Sequence, residues 1–223
     1  MGSVIGEILP LAVGVALSVT AVIAVILILF TPKAKTNSVA FVFGWVLGLT
    51  VAGGIVLIAG GFASDDSGES TASGVVKLGL GLLLLLLALR NWRSRPRAGE
   101  DAEMPGWMAT IDDFGAGKSA GIALILSGVN PKNLALTVVA ATTIAAAGLT
   151  TGEEIGAFAV YVAIASFTVA APVLIYLIMG ERVQGGLNSL KEWLIANNNT
   201  VMAVVFVVFG AKLLGDGISI LSG

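Results

Sequence analysis

The chain has 223 residues, of which 57% are hydrophobic and 12% charged, with a mean hydropathy of +0.98. A water-soluble domain carries about 25% charged residues, so this composition excludes a water-facing globule and indicates an all-α integral membrane protein of the polytopic kind. The net charge of −2, with no Cys and no His, excludes disulfide frameworks, thiolate chemistry, the commonest metal ligands and a nucleic-acid footprint.

Six apolar runs follow in chain order, at 4–30, 38–60, 73–89, 119–149, 155–179 and 200–221. A membrane span needs about 20 residues. The first and fourth runs exceed that by a turn or more, so a tilt, a kink or a break is expected in each. The third is short unless Lys77 snorkels and its helix starts earlier. The start, Met1-Gly2-Ser3-Val4, has no basic region and leads into a run too long for a signal-peptide core, so the first run is expected to remain a span.

Basic residues sort the connections between runs. Lys33 and Lys35 follow the first run, Arg90, Arg93, Arg95 and Arg97 the third, with Lys118 beyond them, and Arg182 and Lys191 the fifth. The alternate connections carry Asp65, Asp66, Glu69, Glu153 and Glu154 and no basic residue. The expectation is a multi-pass protein of the bacterial plasma (inner) membrane with both termini outside. Trp92, Trp107 and Trp193 lie beside the basic connections, where interfacial tryptophans anchor helix ends. The charged stretch 91–117, with Pro96 and Pro105, reads as a cytoplasmic linker between two three-helix units, 1–90 and 118–223. Because three is odd, the second unit enters the membrane from the opposite face, the arithmetic of a 3+3 inverted repeat. A short echo supports it, Ala16-Leu17-Ser18-Val19-Thr20 against Ile125-Leu126-Ser127-Gly128-Val129-Asn130, each midway along its run.

The fourth run holds the least expected residues of the chain, Ser127-Gly128-Val129-Asn130-Pro131-Lys132-Asn133. Pro131 removes a backbone donor and clashes with the carbonyl four residues back, so a helix break is expected at Gly128 and Pro131. A lysine near a bilayer centre costs about 2.5–3.5 kcal/mol on insertion scales, and the amides of Asn130 and Asn133 need partners there. The bland alternatives are that Lys132 snorkels to an interface and that the asparagines are interhelical glue. The functional reading makes Ser18, Thr20, Ser127, Asn130, Lys132 and Asn133 a substrate-binding set, with the ammonium facing an anionic headgroup. Asp112 and Asp113, at the entrance of the fourth span, are expected to cap its helix or to serve as a gate or coupling pair. Lys212 and Asp216, four apart, are expected to form an ion pair. Gly44 and Gly48 give a Gly-x-x-x-Gly spacing that marks close helix packing, within one protomer or across a homodimer.

The stretch Ser127 to Leu136 resembles the Asn-Pro-Lys motif of the lysine exporter (LysE) superfamily. More closely, the chain is similar over nearly its full length to the GAP family of actinobacteria, the Sap-type glycolipid- or sulfolipid-addressing proteins. The stretches that carry the likeness are Leu9-Pro10-Leu11-Ala12, Phe41 to Leu49, Trp92-Arg93-Ser94-Arg95-Pro96-Arg97, Trp107 to Asp112, Gly117-Lys118, Val201 to Val204 and Lys212 to Gly217. The chain departs from the family after Ser18, where relatives carry proline and this sequence has Val19-Thr20. The resemblance thus implies a break in the fourth span and leaves the first open.

That resemblance implies a membrane transporter that exports or flips anionic cell-envelope lipids of glycolipid, sulfolipid or peptidoglycolipid type. Membrane lipids would be both substrate and solvent, and an envelope-lipid biosynthesis partner is conceivable. Two other readings are an exporter of small polar solutes such as amino acids or cations, and a non-transporting scaffold for envelope-lipid synthesis. A lipid carrier wants an apolar cleft open sideways to the bilayer, and a solute carrier a sealed polar chamber. No nucleophile–base pair, paired catalytic carboxylates, phosphate loop or metal set is legible, so neither an enzyme nor a cofactor is expected.

Overall fold

The structure, a computed structural model, describes residues 1–63, 71–95 and 106–222 and consists, among them, of helices and their connections. The helices are α1 (Gly2–Ala16), α2 (Val19–Leu29), α3 (Ala34–Ala63), α4 (Thr71–Arg93), α5 (Ala116–Gly128), α6 (Pro131–Ala145), α7 (Thr151–Met179) and α8 (Gln184–Ser222). Short 3-10 helices, Gly106–Asp113 and Gly180–Val183, precede α5 and α8. The centre of the expected linker, 96–105, with Pro96, Arg97 and Pro105, lies outside the described residues, as does the acidic connection with Asp65, Asp66 and Glu69.

The molecule is apolar outside as well as inside. Phe43, Ile55, Ile58, Phe167 and Ile178 are exposed, the last at 83%. Water tolerates such continuous apolar surface poorly, whereas hydrocarbon demands it, with backbone polar groups satisfied inside helices. Three stretches are long and apolar enough to cross a membrane, Ala34–Ala59, Gly74–Arg93 and Thr151–Ser222, the last of which contains both α7 and α8. Two helix pairs pass together although bent, α1 with α2 and α5 with α6, giving up to five candidate spans on that count. The third run does begin before Lys77, as its length requires, since α4 starts at Thr71.

Glycines set the tightest helix contacts. A Cβ on Gly44 would fall 2.7 Å from the Ala120 Cα and nearer still to its carbonyl oxygen, and one on Gly48 would fall 2.7 Å from the Leu124 carbonyl oxygen. The Gly-x-x-x-Gly spacing therefore joins α3 to α5 within this chain. Small residues let backbones approach where lipid gives no hydrophobic drive to associate. The same stripe of α3 turns Phe41, Trp45 and Leu49, one helical turn apart, fully into the core. Helices α4 and α8 use a second set. Gly81 and Gly210 lie on each other's backbones, and Gly217 lies on the Gly74 carbonyl, so the pair runs antiparallel.

Helix ends follow local chemistry. Glu153 accepts hydrogen bonds from the backbone N–H (3.1 Å) and hydroxyl (2.9 Å) of Thr150, which starts α7 with a capping box. Lys212 and Asp216 form the expected ion pair, at 2.6 Å on the half-exposed surface of α8. Arg95 stacks 3.9 Å over Trp92 at the end of α4, a cation–π contact at an exposed site.

Candidate functional site

Two broken helices meet at the centre of the molecule. Helix α1 ends at Ala16 and α2 starts at Val19, with a bend of 53° between them; α5 ends at Gly128 and α6 starts at Pro131, with a bend of 63°. The first break occurs without proline, since Pro10 lies inside α1 and well before the bend. Pro131 acts otherwise than by kinking a continuous helix. It occupies the first position of α6, where its missing N–H costs nothing and its fixed φ suits the start. Asn130 is the N-cap, and its Oδ1 accepts from the Lys132 backbone N–H at 3.1 Å. Gly128 is the last residue of α5, and its place is fixed by contact: a Cβ there would meet the Gly48 carbonyl at 2.9 Å.

The end of a helix leaves carbonyls without intrahelical partners. At α1 they are answered from afar. The Lys132 ammonium donates to the Gly14 carbonyl at 2.8 Å and to the Leu17 carbonyl at 3.1 Å. The Thr168 hydroxyl of α7 donates to the Ala16 carbonyl, which also accepts from the Ser18 N–H at 2.8 Å. A lysine in the first turn of α6 stands at the positive end of its own helix dipole. Reaching across, its charge meets the negative end of α1 instead. Lys132 is 1% exposed and forms no ion pair among the described residues. It does not snorkel to an interface.

Asn133 completes the crossing. Its Nδ2 donates to the Leu126 carbonyl at 2.8 Å, near the end of α5, and to Ser18 Oγ at 3.2 Å. Its Oδ1 is buried and unpartnered. The structure thus brings Ser18, Lys132 and Asn133 together. Ser127 is buried but turned to its own helix, donating to the Leu124 carbonyl at 3.1 Å beneath Gly48. Thr20 is half-buried in the first turn of α2 and shares no hydrogen bond with Lys132 or Asn133. Asp112 and Asp113 are exposed, and the capping expected of them is not made: the N-cap of α5 is Gly115, without a side-chain hydrogen bond.

Sequence reasoning missed the contribution of α7. Thr168 was legible only as a hydroxyl in an apolar run, as was Tyr161, whose phenol pairs with the Thr137 hydroxyl of α6 at 3.0 Å. The pairing of a hydroxyl with a carbonyl more than a hundred residues away leaves no periodic signal in the chain.

Beside the first break lies a cavity of about 430 Å³, walled by Val13, Ala16 and Leu17 of α1 and by Ala163, Ile164, Phe167 and Thr168 of α7. The small side chains of Ala16 and Ala163 leave the space, at the end of α1 where the 53° bend follows. Phe167 (68% exposed), Leu17 and Val13 form its outer edge on the apolar perimeter. Leu17 belongs to both groove and crossing: it lines the groove, and its carbonyl accepts from the Lys132 ammonium.

A search of curated proteins and a search of solved structures each gave no match. The profile of one family, described as Sap, sulfolipid-1-addressing protein, matches residues 8–219. That span covers both helix breaks, the Lys132 crossing and all of α7, and it makes this chain a member of the Sap, sulfolipid-1-addressing protein family.

Proposed function

We propose that the chain is a membrane transporter that moves anionic cell-envelope lipids outward, with the two broken helices as its moving parts. The observation that carries this reading is the fully buried Lys132 ammonium, held by carbonyl dipoles of a half-helix. Burying a charge against carbonyls alone is costly, and in transporters discontinuous helices place such groups at the substrate site. In the occluded state the ammonium is parked on Gly14 and Leu17. When α1 and α6 part, it is freed for a phosphate, sulfate or carboxylate headgroup, with Ser18 and Asn133 beside it. An ammonium has three donors, and the carbonyls engage two. Thr20, Ser127 and Asn130 then act from behind, through the half-helices they belong to or cap.

The family supports a sulfolipid-related cargo, and the apolar groove beside the break favours a lipid over the runner-up cargo, a small polar solute. A scaffold without transport needs donors for the α1 carbonyls but no charge, since a neutral hydrogen-bonding side chain satisfies them at lower cost. Counting α7 and α8 as separate spans gives six, in a 3+3 inverted repeat across the inner membrane. The packing pairs support that count. Helix α1 packs on α7 as α5 packs on α3, and α4 faces α8. Asp112 and Asp113, exposed at the mouth of α5, remain the coupling pair of this scheme.

The test is vectorial movement of a fluorescent sulfolipid in proteoliposomes, comparing the wild type with Lys132→Ala. The expected result is near-complete loss of flux with membrane insertion intact. Wild-type flux in the variant ends the proposal.

A further inference from the structure

The cavity between α1 and α7 favours a lipid cargo in the transport scheme above, which leaves its occupant unassigned. From its geometry we infer that it is the seat of a lipid acyl chain, the tail of the molecule whose headgroup is destined for Lys132. This rests on the transport reading for the headgroup but stands on separate observations for the tail.

The walls select against a polar occupant. Six of the seven residues are aliphatic or aromatic, and the one hydroxyl, Thr168, is already committed to the Ala16 carbonyl. The cavity is within the size range of small-molecule sites, about 300–1,000 Å³. It lies at the perimeter beside exposed Phe167, Leu17 and Val13, where the surrounding medium is hydrocarbon. The groove itself is narrow, seven residues against the about 20–30 a side of a stable protein interface, so it suits a single chain-like occupant. Charge complementarity then chooses among lipids. Leu17 lines the groove, and its carbonyl accepts from the buried Lys132 ammonium. An anionic lipid seated here has its tail in place before α1 moves to admit its head.

The experiment uses the full chain in nanodiscs containing either phosphatidylglycerol or phosphatidylcholine with a diazirine in the acyl chain. Crosslinked peptides are mapped by mass spectrometry. The expected result is that labelling at 13–17 and 163–168 exceeds that at Ile55 and Ile178, both more exposed than Val13 and Leu17, by about fivefold, equivalent to about 1 kcal/mol of preferential seating. Ala163→Trp, which fills the groove from a position outside the core, is expected to abolish the excess while Ile55 and Ile178 label as before. Labelling spread evenly around the perimeter overturns the inference. So does a groove shielded by crosslinks between two copies of the chain. Equal excess with the anionic and the zwitterionic probe upholds the acyl seat and removes the anionic headgroup from the transport reading, so the two failures are distinct.

Discussion

The ammonium of Lys132 lies 2.8 Å from the carbonyl oxygen of Gly14, 118 residues away in the chain, and so ties the start of one half-helix to the end of another. This bond and its neighbour to Leu17 explain how α1 can stop inside the molecule. Its free carbonyls would otherwise be buried without donors, each at about 1–3 kcal/mol. Lys132→Met keeps the bulk of the side chain and removes the donors. It is expected to lower the stability of the purified protein by about 1–3 kcal/mol and to remove lipid flux. Lys132→Arg keeps the charge but overfills a closed slot, at about 1–3 kcal/mol, and is expected to restore neither. Thermal unfolding in detergent together with proteoliposome flux checks both.

Thr168 holds the same turn from the lipid side, through the Ala16 carbonyl. Thr168→Val preserves shape and removes only the donor. Side-chain hydrogen bonds in membrane proteins average about 0.6 kcal/mol, and the Ala16 carbonyl keeps a second donor in the Ser18 N–H. The expected loss of stability is therefore about 0.6 kcal/mol, well below that of Lys132→Met. A loss as large as that of Lys132→Met refutes this division of labour between the two clamps.

The two breaks differ in how far the sequence announces them. Pro131 and Asn130 announce the second, because a proline at the first helical position after an asparagine cap is a local signal. Nothing local announces the first. Ser18 and Leu17 take non-helical backbone angles with ordinary residues around them, because the partners that stabilise the bend sit on α6 and α7. The internal echo aligned Ser18 with Ser127, yet the caps of the second half-helices are Ser18 and Asn130, so the likeness in letters is displaced by most of a helical turn from the likeness in shape. Composition, the apolar runs and the Gly44–Gly48 spacing were readable because they depend on burial and on distance along one helix. The groove was not, since it is made of what Ala16 and Ala163 lack.

Gly48 and Gly54 sit on the same helix and are expected to respond oppositely to a side chain. A Cβ on Gly48 meets the Leu124 backbone and the Ser127 hydroxyl, whereas one on Gly54 meets nothing within 4 Å. Backbone cannot retreat as a flexible side chain can. Gly48→Leu is expected to separate α3 from α5 and to lose folded protein in size-exclusion chromatography, at about 1–3 kcal/mol or more of overpacking. Gly54→Leu is expected to elute as the wild type.

The crossing of the membrane can be read directly, because the chain contains no Cys and any introduced thiol is unique. Ser3, Lys33, Thr151, Arg182 and Ser222 are all exposed and lie at or beside helix ends. Replaced singly by Cys in intact cells and treated with a membrane-impermeant maleimide, Ser3, Thr151 and Ser222 are expected to react, and Lys33 and Arg182 only after the cells are opened. The pair Thr151 and Ser222 decides the number of spans. If α7 and α8 each cross, the two positions share a side; if 151–222 crosses once, they fall on opposite sides. Opposite labelling removes the inverted repeat, because an even second unit cannot enter from the opposite face and leave its end outside.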